Sequence, residues 1–360
     1  MRKTLLRSLL IVVLVPLLYL GSVIGYAMLT DYRPTQPEAL PIGGDAPMPQ
    51  AYDTLTFVTW NIGYAGLGAG ADFFYDGGKT VRMPQDSVQA YLQGIQETMD
   101  QLDFAYQIDH WMLQEVDRAS RRSYRIDQTV AIAEQLPDWS WSFAPNYDVK
   151  FIPIPLMRPM GKAYAGQLSL SRFRPTEATR YPYTGSYDWP TYLFFLDRCF
   201  LLQRYALADG RQLLVINTHN SAYDDGTQRA QQMEQLAGVL REAQAAGHLV
   251  VAGGDWNQSP SGFRGVGDLP VRTSSLEARF QVAADFPAAG WQWAYDPLVP
   301  TNRDLDKAFD PAKTPRTILD FFLVSPGIEV LEVRGIDLGF RHSDHQPVLL
   351  RVRLPQLLPS

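Results

Sequence analysis

The chain has 360 residues, of which 46% are hydrophobic and 19% are charged. This composition is globular, and the length accommodates one large domain or two ordinary ones without a metal or disulfide staple. The net charge of -6 disfavours, without excluding, a protein that grips duplex DNA, because such proteins usually present a basic face. Cys199 is the single cysteine, so no intramolecular disulfide forms and cysteine usage leaves the compartment open.

An uncharged apolar run, Leu9–Leu29, dominates the N-terminus, and Arg2, Lys3 and Arg7 precede it. The run is long enough to cross the ~30 Å hydrocarbon core of a bilayer as a helix. Positive charge before the span and Asp31 after it predict a cytoplasmic N-terminus and an extracytoplasmic body. The alternative is a cleaved signal peptide and secretion, although the run is longer than a typical signal core.

The segment after this run is rich in proline and glycine, with five prolines from Pro34 to Pro49. Residues 30–51 are therefore predicted to be a linker that holds the following body off the membrane. Residues 1–29 then form the basic tip and transmembrane anchor, and residues 52–356 form one folded body.

Strand patterns alternate with helix patterns through this body. Apolar residues at helical spacing predict helices at Gln85–Asp103, Gln128–Leu136 and Asp225–Ala246. Short apolar runs predict strands at Leu55–Ile62, His110–Val116, Gly166–Ser171, Phe194–Leu207, Gln212–Asn217, His248–Ala252, Thr317–Val324, Ile328–Leu338 and Gln346–Leu354. Two successive halves of this kind predict sheets packed on each other with helices outside. The glycine-rich and aromatic excursion Gly63–Met83 follows the first strand, where loops build pockets.

The chemically suggestive polar residues lie at the ends of these strands. Their carboxylate and amide oxygens are hard ligands suited to Mg²⁺ or Mn²⁺, and the histidines titrate near neutral pH. Hydrolysis of a phosphoester needs a metal, an oriented water and donors for the developing oxyanion. The sequence has no G-x-S-x-G, Walker, H-E-x-x-H or C-x-x-C motif for rival mechanisms. The strand-end residues are Asn61, Glu115, His219, Asp255, Asn257, Asp320, Asp344 and His345.

Six segments in order, WNI, LQE, NTH, GDWN, ILDFFLVS and SDHQPV, resemble the successive motifs of the endonuclease/exonuclease/phosphatase superfamily. The resemblance spans about Leu55–Leu354. It implies an α/β fold, a four-layer α/β sandwich of two packed mixed sheets flanked by helices, here with an N-terminal transmembrane helix. It also implies that residues 52–356 are the catalytic domain of a Mg²⁺- or Mn²⁺-dependent phosphoric ester hydrolase.

The resemblance further implies a role for each strand-end residue. Asp255 would orient or deprotonate the attacking water, and Asn257 would bind a phosphate oxygen or the metal. His345 would polarise the phosphate or activate water, with Asp320 fixing its tautomer. His219 would contact the scissile phosphate or assist the leaving group. The implied metal ligands are Glu115, Asn61 and Asp344.

Candidate contacts for an anionic substrate are Arg118 and Arg122, which follow the second motif closely, and Lys162. One departure from the family pattern concerns Gly63, since some nucleases of the family carry an acidic residue there. A second metal-proximal carboxylate is therefore not expected at this position.

These observations predict a hydrolase of phosphoester bonds, either a phosphodiesterase or a phosphatase. Anchoring and acidic charge favour a lipid headgroup or a small phosphoester as substrate, with the membrane as the other partner and no protein partner implied. One alternative is a membrane-tethered or secreted nuclease, because one fold hosts several activities. The other is a non-catalytic binding module that retains the fold.

Overall fold

The computed structural model describes residues 2–48 and 53–355. Four α-helices lie in these ranges: α1 (Arg2–Thr30), α2 (Gln85–Tyr106), α3 (Gln128–Gln135) and α4 (Thr227–Ala245). The strands there are β1 (Glu38–Ala39), β2 (Thr54–Asn61), β3 (His110–Asp117), β4 (Ser140–Ile152), β5 (Gly161–Ser171), β6 (Glu177–Pro182), β7 (Cys199–Ala206), β8 (Gln212–His219), β9 (Leu249–Asp255), β10 (Gln292–Ala294), β11 (Asn302–Arg303), β12 (Arg316–Thr317), β13 (Asp320–Val324), β14 (Glu329–Gly335) and β15 (Val348–Arg353).

Two large mixed sheets organise the body. One has the strand order β1-β6-β7-β8-β9-β13-β10, and the other has the order β14-β15-β2-β3-β5-β4. Each contains one parallel pair, β8 with β9 and β2 with β3, among antiparallel neighbours. An apolar cluster draws on both sheets, including Phe57 and Met112 from one and Val215 and Phe322 from the other.

The outer faces of the sheets are covered by helices. Ile95 and Met99 of α2 pack with Trp111 of β3, and Leu236 of α4 packs with Val250 of β9. Strands such as β2 are therefore buried on both faces, which explains their nearly continuous apolar sequence. The predicted sandwich of two mixed sheets flanked by helices is confirmed.

Two long strands of the body, β4 and β6, were not predicted from the sequence, and neither were the short strands β10 and β11. The first alternates apolar with polar residues and contains Pro145, which argues against a central strand. It lies at a sheet edge, and its pairing shifts register between Pro145 and Tyr147, so the proline is accommodated. The predicted strand Phe194–Leu207 starts only at Cys199, because Thr191–Phe194 forms a 3-10 turn.

The N-terminal helix α1 is long and apolar enough over Lys3–Thr30 to cross a membrane, a property that signal sequences share. Its C-terminal part packs on the body, where Val23 and Ala27 are buried. The helix contacts β4 and the 3-10 turn Thr191–Phe194. The segment after it adds β1 to an edge of the seven-stranded sheet by pairing with β6. The boundaries of the predicted anchor and linker stay predictions.

Candidate active site

The seven-stranded sheet brings three of the predicted residues into one row. His219 ends β8 and pairs with Asp255 at the end of β9, which pairs in turn with Asp320 at the start of β13. Because paired residues on neighbouring strands lie about 5 Å apart, their side chains share one edge of the sheet.

The six-stranded sheet contributes Asn61 and Glu115 to the same edge. The two strands that carry them are parallel, with Asn61 paired to Gln114. Glu115 has a φ of 55°, and the pairing of β3 with β5 shifts register around it. A left-handed backbone at a non-glycine residue inside a bulge is a strained feature that redirects the side chain. Asn61 Nδ2 donates a hydrogen bond of 3.0 Å to Asp255 Oδ2, which joins the two sheets at this point.

His345 is held by two buried partners. Its Nδ1 lies 2.7 Å from Asp320 Oδ2, and its Nε2 lies 2.7 Å from Asn302 Nδ2. The same Nε2 is 3.7 Å from Asp255 Oδ2 and 3.8 Å from Asp344 Oδ2. The Asp320 carboxylate therefore fixes the ring, and Nε2 faces the remaining carboxylates.

His219 faces the same carboxylates from the other side. Its Nε2 lies 3.5 Å from Asp255 Oδ2 and 3.8 Å from Glu115 Oε1. Its buried Nδ1 has no hydrogen-bond partner among residues 2–48 and 53–355. The two histidines thus flank Asp255.

The two histidines have opposite electrostatic environments. Burial alone would lower the pKa of His345, but the neighbouring carboxylates, led by Asp320, outweigh it and raise the pKa to about 10. Burial lowers the pKa of His219 well below its usual value, and the charges of Arg198 and His345 add to this. These surroundings favour the protonated ring at His345, which requires Asn302 to turn its Oδ1 rather than its Nδ2 toward Nε2, and they favour the neutral ring at His219.

Two of the carboxyl groups are destabilised in their charged form. Burial and, after it, the negative charge of Asp344 raise the pKa of Glu115 to about 8, against the opposing charges of His345 and Arg122. Burial also raises the pKa of Asp320, although the charge of His345 opposes this. Carboxylates that repel one another in a buried site fit a bound cation. Ligand atoms of Asp255, Asp320 and His345 lie within 4.8 Å of one another, although a hydrogen bond already joins the last two.

A cavity of about 730 Å³ opens over these residues. The glycine-rich excursion after β2 supplies part of its wall through Tyr64, Phe73 and Tyr75. Asn61 and Asp320 do not line it, because they lie behind Asp255 and His345, to which they hydrogen-bond. The predicted residues that line it are Glu115, His219, Asp255, Asn257, Asp344 and His345.

Of the three predicted substrate-binding cations, one lines the cavity and two do not. Arg118 does not line the cavity and pairs with Asp127 at 3.0 Å. Lys162 does not line it either, and its ammonium lies 5.8 Å from the ring centroid of Tyr164. Arg122 does line the cavity, but it is buried and pairs with Asp117 at 2.9 Å.

Two residues that line the cavity were not predicted from the sequence. Asn302, beside His345, lies in a stretch without periodicity, and no local signal marks it. Arg198 lines the cavity, and its buried Nη1 has no hydrogen-bond partner in the part of the chain that the structure describes. It directly precedes β7, which runs antiparallel to β8. The start of β7 and the end of β8 therefore lie at the same edge of the sheet. The charge of Arg198 at this edge could have marked it as a candidate site residue from the sequence.

The glycine that departs from the family pattern also has a structural explanation. Gly63 has a φ of 54°, and a Cβ atom there would lie 2.8 Å from Asp344 Oδ1. Its backbone N–H donates to Asn61 Oδ1 at 3.0 Å. A larger residue would therefore displace the carboxylate of Asp344.

The chain belongs to the Endonuclease/Exonuclease/phosphatase family, whose model matches residues 58–345. Its fold is similar to that of the endonuclease/exonuclease/phosphatase from Bacteroides vulgatus, with 17% identity and a TM-score of 0.53 over 84% of this chain and 99% of that one. It is also similar to a mannosyl-6-phosphatase from Bacteroides thetaiotaomicron, with 14% identity and a TM-score of 0.50 over 83% of this chain and 99% of that one. The same identity, coverage and TM-score hold for D. rerio TDP2 complexed with a single-strand DNA product. No curated protein sequence matches the chain.

The predicted family is therefore confirmed, while the structural likeness, at these identities, shows the fold alone. Membership supports a hydrolase of phosphoester bonds, and enzymes of this family generally use divalent metal ions. The role of each side chain stays a prediction.

Proposed function

We propose that this protein is a divalent-metal-dependent hydrolase of phosphoester bonds. The observation that supports this most is that Glu115, Asp255, Asp344 and two histidines line a single cavity, with Nε2 of each histidine within 3.7 Å of Asp255 Oδ2. A buried carboxylate between two histidines suits proton transfer more than binding alone.

Glu115, with Asn61 and Asp344, would hold the cation. The raised pKa of Glu115, caused by burial and by Asp344, is the expected condition of a metal-binding carboxylate without its cation. When bound, Mg²⁺ or Mn²⁺ would neutralise phosphate charge in the transition state. Asp320 and His345 are better assigned to each other, because their hydrogen bond already satisfies the ring Nδ1.

Asp255 and the histidines beside it would orient the attacking water and transfer protons. Asp255 Oδ1 accepts from the backbone N–H of Asn257 at 2.9 Å and Oδ2 accepts from Asn61, which fixes the carboxylate for orienting a water. A protonated His345, with its Nδ1–H held by Asp320, would donate through Nε2 to a phosphate oxygen in place of its present contact with Asn302. The neutral ring of His219 would contact the phosphate or its leaving oxygen through Nε2.

Arg198 is proposed as the cation that binds the anionic substrate, in place of Arg118 and Lys162. It lines the cavity, makes no ion pair within the described residues, and lowers the pKa of His219 through its charge. A buried guanidinium nitrogen without a partner is costly unless a ligand oxygen satisfies it.

The experiment is hydrolysis of bis-p-nitrophenyl phosphate and p-nitrophenyl phosphate by the full-length protein, with Mg²⁺, Mn²⁺ or excess EDTA. We expect metal-dependent hydrolysis that Glu115→Gln reduces about 10²-fold or more. Glu134→Gln, which removes an exposed carboxylate that does not line the cavity, is the matched control. Hydrolysis that survives EDTA, or equal rates in both variants, would contradict the proposal. Plasmid DNA as a further substrate separates a phosphoesterase of small substrates from a nuclease.

We also propose that α1 is retained as an anchor, with the catalytic domain extracytoplasmic. The length and composition of Lys3–Thr30 support this, as does the packing of Val23 and Ala27 against the body. The intact mass of protein purified from the membrane fraction should include residues 1–29. A mass that corresponds to loss of these residues would identify a cleaved signal peptide.

A further inference from the structure

The cavity has an apolar end, and α1 forms part of it. Leu20, Val23 and Ile24 line the cavity together with the site residues at its other end. Their spacing of three and four residues places them on one face of the helix. A helix that is a candidate membrane span therefore supplies a wall of the cavity that holds the proposed active site.

The height of these residues along the helix places them in one half of the bilayer. The charge-free run Leu9–Leu29 measures about 30 Å as a helix at ~1.5 Å per residue. This length matches the ~30 Å hydrocarbon core. If α1 spans the bilayer with this run, Ile24 lies about 8 Å and Leu20 about 14 Å inside the boundary at which the helix ends, so the cavity opens among the acyl chains of that leaflet.

An exposed apolar rim lies beside the helix. In the loop between β4 and β5, Ile154 is 51%, Leu156 73% and Met157 93% exposed, and Trp189 is 58% exposed before the 3-10 turn that contacts α1. Ile154 itself lines the cavity with Leu20. Consecutive exposed large apolar residues in a water-facing loop are unusual, whereas a loop that dips into a membrane contains them, and tryptophan favours the interface.

We propose that the substrate of this site is a phosphoester lipid that enters the cavity from the leaflet in which α1 ends. Its acyl portion lies along the wall formed by Leu20, Val23 and Ile24, and its phosphate lies between Arg198 and His345. This rests on the proposed function. Water adds to phosphorus, one P–O ester bond breaks, and the departing alcohol oxygen takes up a proton. The continuity of the cavity wall with the membrane span is the reason for choosing a lipid over a soluble phosphoester.

The test uses methyl, butyl and octyl p-nitrophenyl phosphate, below their micelle concentrations, with full-length protein in lipid nanodiscs. The series keeps the leaving group and changes only the apolar chain. We expect kcat/KM to rise about two- to fourfold for each methylene that is buried. Leu20→Gln and Ile24→Gln should reduce this rise, so that the ratio of kcat/KM for the octyl ester to kcat/KM for the methyl ester falls.

Leu18→Gln is the matched control, since Leu18 lies on the same helix but does not line the cavity. It should keep the wild-type dependence on chain length, which removes partitioning of long chains into the nanodisc as an explanation. An equal dependence in Ile24→Gln and Leu18→Gln, or hydrolysis of all three esters at one rate, overturns the lipid proposal and leaves the hydrolase intact. Failure to hydrolyse any ester overturns both.

The rim gives a second measurement that does not alter the cavity wall. Met157→Asp should slow hydrolysis of long-chain phospholipids in vesicles severalfold and leave the methyl ester unaffected. Met48→Asp, at an exposed methionine outside the cavity, should change neither rate. Equal vesicle rates in the wild type and Met157→Asp would contradict insertion of the rim.

Discussion

The two ends of the cavity are built in different ways. The polar end is made of strand termini, where Asn61, His219 and Asp255 are placed by the pairing of adjacent strands. The apolar end is made of α1 and the loop after β4, which are far apart in the chain and meet only through packing. Strand pairing fixes positions to a fraction of an ångström, as chemistry requires, whereas an apolar wall needs only shape and hydrophobicity.

The largest expected effect is at the polar end. His345→Ala removes the imidazolium that Asp320 orients, so kcat on bis-p-nitrophenyl phosphate should fall about 10²- to 10⁴-fold. His342→Ala is the matched control, because His342 packs near Gly94 of α2 and does not line the cavity. A loss in His345→Ala no greater than that in His342→Ala would show that the polar end is not where hydrolysis occurs.

A smaller effect is expected at the unpaired cation that lines the cavity. Arg198→Met keeps the aliphatic stem but removes the unpaired guanidinium, so KM for an anionic substrate should rise roughly 10- to 100-fold with a smaller change in kcat. Lys162→Met, which removes a cation outside the cavity, should leave KM unchanged. If the two variants have the same KM, Arg198 does not contact the substrate.

The polar end was largely predictable from the sequence because its signals are local. Continuous apolar runs followed by Asn61, Glu115 or Asp255 mark buried strands with polar ends, and the family motifs lie at those ends. Asn302 was not predictable, because its position beside His345 comes from an isolated bridge between distant segments. A periodic pattern indicates on which face of its own strand a residue lies, but not which distant residue it contacts.

The apolar end was less predictable for the same reason. The sequence predicts a membrane span over Leu9–Leu29, but the packing of Val23 on the body depends on tertiary contacts with β4. The edge strand β4 was missed because Pro145 interrupts its pattern, although an edge tolerates proline. The loop of exposed apolar residues that follows β4 has no periodicity.

The smallest expected effect concerns stability near the end of α1. Burial raises the pKa of Asp197, and the negative charge of Asp31, just after α1, adds to this. Arg180 and Arg33 oppose the shift, and the resulting pKa is about 7. The folded state therefore binds a proton that the unfolded state, with a pKa near 3.8, releases earlier. The stabilisation of the folded state by this proton on Asp197 is fully present below about pH 4 and is lost as the pH rises through about 7.

Asp197→Asn should remove this dependence and raise the melting temperature at pH 8 by a few degrees, equivalent to roughly 1–3 kcal/mol. Thermal unfolding of the wild type and the variant from pH 4 to pH 8 measures it, with Asp138→Asn at an exposed position as the control. Because Asp31 lies on the segment that follows α1, a variant truncated before Asp31 removes the wall of the apolar end but should keep the Asp197 dependence. If the truncated variant loses the pH dependence of its stability, the packing of α1, rather than local burial, sets the pKa of Asp197. The two ends of the cavity are then energetically coupled, although different elements form them.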